Sequence, residues 1–204
     1  MLRFLLLLTS IFALNDLFFL YVKSYVGWLA VDYASRILAI LIVSYLIKTK
    51  RCSFGDFGFT KIGIKPFIFW AVILSAVGIF IDQAGWKFFE NILPKTQAFA
   101  FPKITNHIVK IFDQTVGIAL VSLTEEPIFR GFYFSVLKRY TGNPFTIVAV
   151  SSIAFGLIHW SSGLHAVITT ALWAILPMVS VLRTRSVLPA VVAHYLTDFV
   201  YFFQ

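Results

Sequence analysis

The chain has 204 residues and a mean hydropathy of +0.87; 59% of its residues are hydrophobic, 18% aromatic and only 13% charged, against roughly a quarter charged in soluble domains. That composition excludes a soluble globular protein and describes an integral membrane protein. The formal charge of +8 does not indicate a nucleic-acid binder, because the basic residues sit in short clusters between apolar runs instead of along one amphipathic face; the lone Cys52 excludes an internal disulfide and a Cys-based metal site.

Apolar runs long enough to span a bilayer, about 17 to 25 residues each, are predicted near 4–22, 26–47, 66–86, 113–137, 144–161, 164–182 and 187–204. The first begins like a signal peptide, yet it lacks a small-x-small cleavage site and is interrupted by Asn15 and Asp16, so it is read as a retained helix. The 49–65 loop is basic and glycine-containing and is expected at the cytosolic surface. The 87–112 loop holds Pro94 and Pro102 and is expected to include a surface helix. With seven spans, Arg3, Lys48, Lys50, Arg51, Lys61, Lys65, Lys138, Arg139, Arg183 and Arg185 fall on one side. Lys23, Lys87, Lys95, Lys103 and Lys110 fall on the other, which favours a cytosolic N-terminus. There is no repeat, low-complexity segment or soluble domain. The expected fold is all-α: one polytopic membrane bundle, 1–204, of about seven transmembrane helices.

Charge inside such a bundle costs at least a few kcal/mol per group and requires a partner or water. Within L123-T-E-E-P-I-F-R-G-F132, Glu126 and Arg130 are i and i+4 in the favourable order for an ion pair. Glu125 points about 100° away around the helix and is expected to stay free. Pro127 removes a backbone donor, so a kink is expected there, opening a cavity beside Glu125. In S151-S-I-A-F-G-L-I-H159, Phe155 and His159 lie one turn apart, and in V191-V-A-H-Y-L-T-D198, His194 and Asp198 share a face. Each is by itself as readily a packing or hydrogen-bonding residue. Two histidines and a spare carboxylate together can activate water or bind a metal. Asp32 and Arg36 read as a simple i,i+4 pair, and Asp16 with Asp32 as a weak aspartate dyad. An HExxH zinc motif, an intramembrane GxGD and a serine-protease pattern are absent.

Glu125-Glu126-x-x-x-Arg130, Phe155-x-x-x-His159 and His194-x-x-x-Asp198, in that order on successive helices, resemble the three motifs of the CAAX-protease and bacteriocin-processing (CPBP, Abi) family of intramembrane proteases. The resemblance covers 113–204, the expected catalytic core; 1–112 shares only hydrophobic character with it. It implies a polar intramembrane cavity and peptide-bond hydrolysis near the ends of hydrophobic or lipidated substrates. By position, Glu125 would be the general base, His159 would hold the water, His194 and Asp198 would stabilise the oxyanion, and Glu126 with Arg130 would support the site. Asparagine is frequent in the family where Asp198 stands. An ionised aspartate cannot donate to an oxyanion, so Asp198 is expected to orient His194, the actual donor.

The expected activity is a glutamate-dependent endopeptidase without a cofactor. The same residues leave two alternatives: a zinc protease with Glu125, His159 and His194 as ligands, and a scaffold or bacteriocin-immunity protein that binds a peptide without cutting it. Expected partners are the substrate and membrane lipids, not nucleic acid; the expected location is a bacterial cytoplasmic membrane.

Overall fold

The computed structural model describes residues 1–203, and these form seven helices and no strand. They are α1 (Leu2–Phe19), α2 (Tyr25–Lys48), α3 (Ile64–Ile92), α4 (His107–Leu137), α5 (Pro144–Leu157), α6 (Leu164–Thr184) and α7 (Leu188–Phe202). The all-helical, polytopic bundle read from the hydropathy pattern is present. The first four helices and α6 are long and apolar enough to cross a membrane. Leu6, Leu41, Val72 and Phe145 are among many large apolar side chains that point away from the protein, as a hydrocarbon solvent permits.

Local chemistry sets where several helices start. The Ser24 hydroxyl accepts from Gly27 N at the head of α2 and the Asn106 amide oxygen from Val109 N at the head of α4. Asn143 caps α5 by accepting from Phe145 N, with Pro144 at the first helical position, where its missing N–H costs nothing.

Three boundaries differ from those expected. The loop after α3 is shorter and carries no surface helix, because α3 runs on to Ile92 and α4 begins at His107, leaving 93–106 as an extended strap. Helices α5 and α7 have 14 and 15 residues, or about 21 to 23 Å of rise, short of the ~30 Å hydrocarbon core. α5 stops at Leu157 although the apolar run continues, because the chain turns into a short 3₁₀ segment, Trp160–Ser162, whose Ser161 N and Oγ donate to Asp16 of α1. α7 starts at Leu188, within a residue of the expected position, after 185–187 docks on the loop after α2: Val187 N donates to Gly58 O, and Thr60 Oγ1 to Arg185 O.

That loop after α2 is not only a surface feature. Ser53 and Asp56 cap a 3₁₀ turn, Phe54–Phe57, reciprocally. The turn pushes Phe57 wholly into the core, stacked on Phe132 of α4. Gly58 has φ +77°, and a Cβ at Gly131 would collide with the Phe57 carbonyl, so both glycines are required for the loop to seat. The loop thus plugs one end of the bundle; the strap 93–106 closes the other.

The core is built from α1, α4, α5 and α6: Leu8, Phe12, Ile128, Phe129, Phe155, Trp173 and Met178 are buried together. α5 and α6 pack so closely that a Cβ on Gly156 would lie 2.5 Å from the Val167 carbonyl oxygen. α1 is a full member, since Thr9 and Tyr133 share a hydrogen bond of 2.9 Å.

Candidate active site

Every residue from Thr124 to Tyr133 is buried, so the TEEPIFRGFY segment is the innermost part of α4. Pro127 does interrupt the helix, and the interruption is taken up as a π turn over Pro127–Phe132, a form that recurs at functional sites. Widening the turn disturbs the backbone ladder, and the Ser151 hydroxyl of α5 donates to Phe129 O at 2.6 Å.

Glu126 and Arg130 pair as the spacing predicts, Nε to Oε2 at 3.1 Å, both wholly buried. The geometry of that approach is too bent for a hydrogen bond, and Arg130 Nη2 supplies one instead, to Oε1 at 3.4 Å. The guanidinium is further held over the Phe155 ring at 4.2 Å and beside Trp173 at 5.6 Å. Desolvated cation–π contact of this kind contributes up to about 2 kcal/mol.

Glu126 also accepts from His194 Nδ1 at 3.0 Å. A carboxylate only accepts, so Nδ1 carries the proton and Nε2 faces the cavity. Nε2 lies 3.5 Å from Asp198 Oδ2 and 4.0 Å from Glu125 Oε2. The group that orients the imidazole is therefore Glu126, through Nδ1. Asp198, which the i,i+4 spacing suggested for that task, stands at the other nitrogen and is the more open group, its side chain 23% exposed. Trp173 and Phe155 wall in the imidazole.

Glu125, expected to be free, is not. Its Oε1 accepts from Arg36 Nη1 of α2 at 2.8 Å. Arg36 also makes a two-pronged bond to Asp32, Nε to Oδ2 at 3.0 Å and Nη2 to Oδ1 at 2.9 Å. The i,i+4 pair is thus real but only half of what Arg36 does. Asn15 and Ser35 extend the network to α1. A carboxylate only 4% exposed in a membrane bundle needs a cation; here the cation comes from a distant helix and leaves Oε2 toward the cavity.

His159 lies just past the end of α5, not within it. Its Nδ1 faces the Phe155 carbonyl at 2.9 Å, which accepts and so leaves Nε2 as the acceptor nitrogen. Glu125, His159, His194 and Asp198 all line one cavity of about 180 Å³. The four expected catalytic side chains are brought together, with Glu126 and Arg130 buried directly behind.

The cavity contains more acid than the motifs account for. Asp16, Asp32, Asp82 and Asp113 line it too. Asp16 and Asp32 face different partners, Ser161 and Arg36, and do not form a dyad. Asp113 accepts from the Tyr33 hydroxyl at 2.8 Å. Asp82 sits on a π turn of α3, Ile81–Gly85, and its buried Oδ2 has no hydrogen-bond partner among the described residues. Asp82 and the Arg36–Glu125 link are the features that sequence reasoning missed. A lone aspartate inside the third apolar run was the available signal for the first; nothing local signals the second.

The cavity lies toward the strap end of the bundle. Phe99 stacks on Phe19 with ring centroids 4.9 Å apart, Phe101 meets Trp28 and Phe202 edge-on, and Ala98 N and Phe99 N both donate to Ser161 O. The strap is thereby tied to the segment that follows His159. Among the described residues no three His, Cys, Asp or Glu side chains are arranged to hold a metal ion. Each side chain that would be a zinc ligand is held by one polar atom and keeps the other open: Glu125 Oε1 is on a guanidinium, His159 Nδ1 on a carbonyl and His194 Nδ1 on Glu126, an arrangement that suits a metal ligand as well as a metal-free site.

Residues 108–200 match a family model, Type II CAAX prenyl endopeptidase Rce1-like. That segment contains all three motifs and spans α4 to α7. No curated protein and no solved structure matches the chain.

Proposed function

We propose, on the match of residues 108–200 to the Rce1-like CAAX prenyl endopeptidases, that the chain is an intramembrane protease that cleaves peptide bonds with a water activated by Glu125. The observation that carries this reading is the placement of Glu125 Oε2. It is buried, fixed through its other oxygen by Arg36, and faces a cavity shared with His159, His194 and Asp198.

In this mechanism a water sits between Glu125 Oε2 and His159 Nε2. Glu125 takes its proton as the oxygen attacks the substrate carbonyl, and the new C–O bond forms as charge moves to the carbonyl oxygen. His194, anchored by Nδ1 on Glu126, presents Nε2 to that oxygen; protonated there, it donates to the oxyanion. Collapse breaks the C–N bond, and the proton held by Glu125 passes to the departing amine. Donors fixed before the reaction are worth most in a dry site, since no reorganisation is needed as charge develops. Glu126 and Arg130 contribute by holding His194 and touch no substrate.

The cavity constrains the substrate. At about 180 Å³ it is smaller than the ~300–1,000 Å³ of ordinary ligand pockets. It takes the scissile bond and little more, so the rest of a hydrophobic or lipidated protein lies outside, in lipid or along the aromatic strap. We place the enzyme in a bacterial cytoplasmic membrane and assign it no cofactor.

The test compares protein termini in membranes of cells making the wild-type chain with those making Glu125→Gln at equal abundance. Termini that disappear in the variant identify the substrate. An unchanged set, with both proteins folded and candidate substrates expressed, removes the protease reading in favour of a peptide-binding scaffold or immunity protein.

A further inference from the structure

A large concavity lies away from the site. It is a groove of about 1,040 Å³ between α5 and α6, larger than most ligand pockets. Its walls are apolar, with Val148, Ile153 and Leu157 on α5 and Ile168, Leu172 and Ile175 on α6. It ends at three cations, Lys138, Arg183 and Arg185, on the side of the bundle that carries the plugging loop.

Two of those cations are gathered on one ring. Lys138 Nζ is 5.7 Å and Arg185 Cζ 4.4 Å from the centroid of Phe134. Among the described residues none of the three makes a salt bridge; the ion pairs involve Arg36, Arg130 and His194 only. Like charges drawn together at the edge of an apolar groove, with no carboxylate to balance them, form half of an electrostatic pair. An anion joined to a long apolar body would supply the other half.

We propose that this groove binds an anionic phospholipid, its phosphate between Lys138, Arg183 and Arg185 and an acyl chain along the cleft between α5 and α6. Arginine and lysine together suit a phosphate, by forked hydrogen bonds and by point charge. The apolar length matches as well, since α5 alone rises about 21 Å. A neutral lipid would leave the cations unmatched, and so would an apolar helix of a partner protein. The lipid would brace the two helices whose opposite ends flank His159. The inference stands on the groove and its rim and does not rest on the proteolytic reading.

The experiment reconstitutes the purified full chain into vesicles of phosphatidylcholine and phosphatidylglycerol in equal amounts, re-extracts it in mild detergent and quantifies the retained lipids by mass spectrometry. The wild type should retain phosphatidylglycerol in preference to phosphatidylcholine. Juxtamembrane cations add roughly fivefold each to the binding of acidic lipid, so Lys138→Gln, Arg183→Gln and Arg185→Gln combined should lose the preference by about a hundredfold. Arg139→Gln, a neighbouring cation that does not line the groove, should keep it. Val148→Trp, which fills the cleft, should lose retained lipid with the cations intact. Thermal unfolding of each variant in phosphatidylcholine alone checks that it is folded. Equal retention of the two lipids by the wild type overturns the proposal. So does undiminished phosphatidylglycerol on the folded triple variant, or disulfide-linked dimers of an Ile153→Cys variant, which would show that a second chain occupies the groove.

Discussion

The adjacent glutamates of α4 are each neutralised by an arginine, and the two arginines differ in almost everything else. Arg130 comes from the next turn of the same helix, is wholly buried, and is enclosed by aromatic rings with Glu126. Arg36 comes from α2, is shared between Asp32 and Glu125, and borders the cavity. The first pair is sealed and serves as a support on which His194 is mounted. The second stabilises a carboxylate while leaving one of its oxygens available. Adjacent residues of the same type therefore have different tasks, and what separates them is the geometry of the cation, not the acid.

If that division is right, breaking the two ion pairs should have opposite signatures. Glu125→Gln should lower cleavage by about 10²–10⁴-fold, the usual contribution of a positioned acid–base group, with little change in thermal stability, because a neutral amide still accepts from Arg36. Rates on the substrate identified from membrane termini, with melting in detergent, measure both. A Glu125→Gln protein with normal turnover would break the comparison outright.

Arg130 should show the reverse. Arg130→Met leaves Glu126 charged in a dry core with only the His194 bond, a loss of up to about 3–5 kcal/mol. The double variant Glu126→Gln with Arg130→Met should recover most of that stability, since no charge is then stranded and Gln still accepts from His194. Thermal unfolding of these two variants and of Glu126→Gln alone gives the coupling. A double variant no more stable than the single would mean that Arg130 acts by packing on Phe155 and Trp173 instead of by charge.

The same contrast explains what the sequence could and could not disclose. Glu126–Arg130 was legible because a helix makes i and i+4 neighbours in space, and the three motifs were legible because each lies within two turns. Arg36 and Glu125 are 89 positions apart, and only the packing of α2 against α4 joins them. The Asp32–Arg36 spacing even offered a complete local explanation that hid the second contact. His159 was placed inside a helix for a related reason: its apolar run continues unbroken, while the bond from Ser161 to Asp16 that ends α5 is again a tertiary one. The loop after α2 read as surface because it is basic, but the burial of Phe57 depends on Gly58 and Gly131 meeting across the fold. Helix number and character come from local pattern; helix ends and pair partners come from contacts that pattern does not encode.

A smaller effect is expected at Arg36 itself when charge is kept. Arg36→Lys preserves a cation but cannot bridge Asp32 and Glu125 with a planar fork. Glu125 should lose its fixed orientation, and misplacement on the scale of 1 Å can cost about 10²-fold; a reduction up to that size, with a near-wild-type melting temperature, is the expected result. A rate unaffected by the change would show that Glu125 is positioned by the cavity wall and not by Arg36.

The smallest effect separates Asp198 from Glu125. Asp198 is the more exposed of the two carboxyls, its Oδ2 is 3.5 Å from His194 Nε2, and the other nitrogen of that ring is already held by Glu126. If Asp198 serves the oxyanion side, Asp198→Asn keeps an oxygen that accepts from Nε2 and gains an amide that donates to the substrate oxygen, so cleavage should change by less than about tenfold, one unit of 1.4 kcal/mol in the barrier. Asp198→Ala, which has neither, should be slower than Asp198→Asn. If instead Asp198→Asn is as damaging as Glu125→Gln, then Asp198 takes the proton from water and Glu125 is a second structural carboxylate with its own arginine. The two glutamates would then be alike after all, and the acid that differs would be the one on α7.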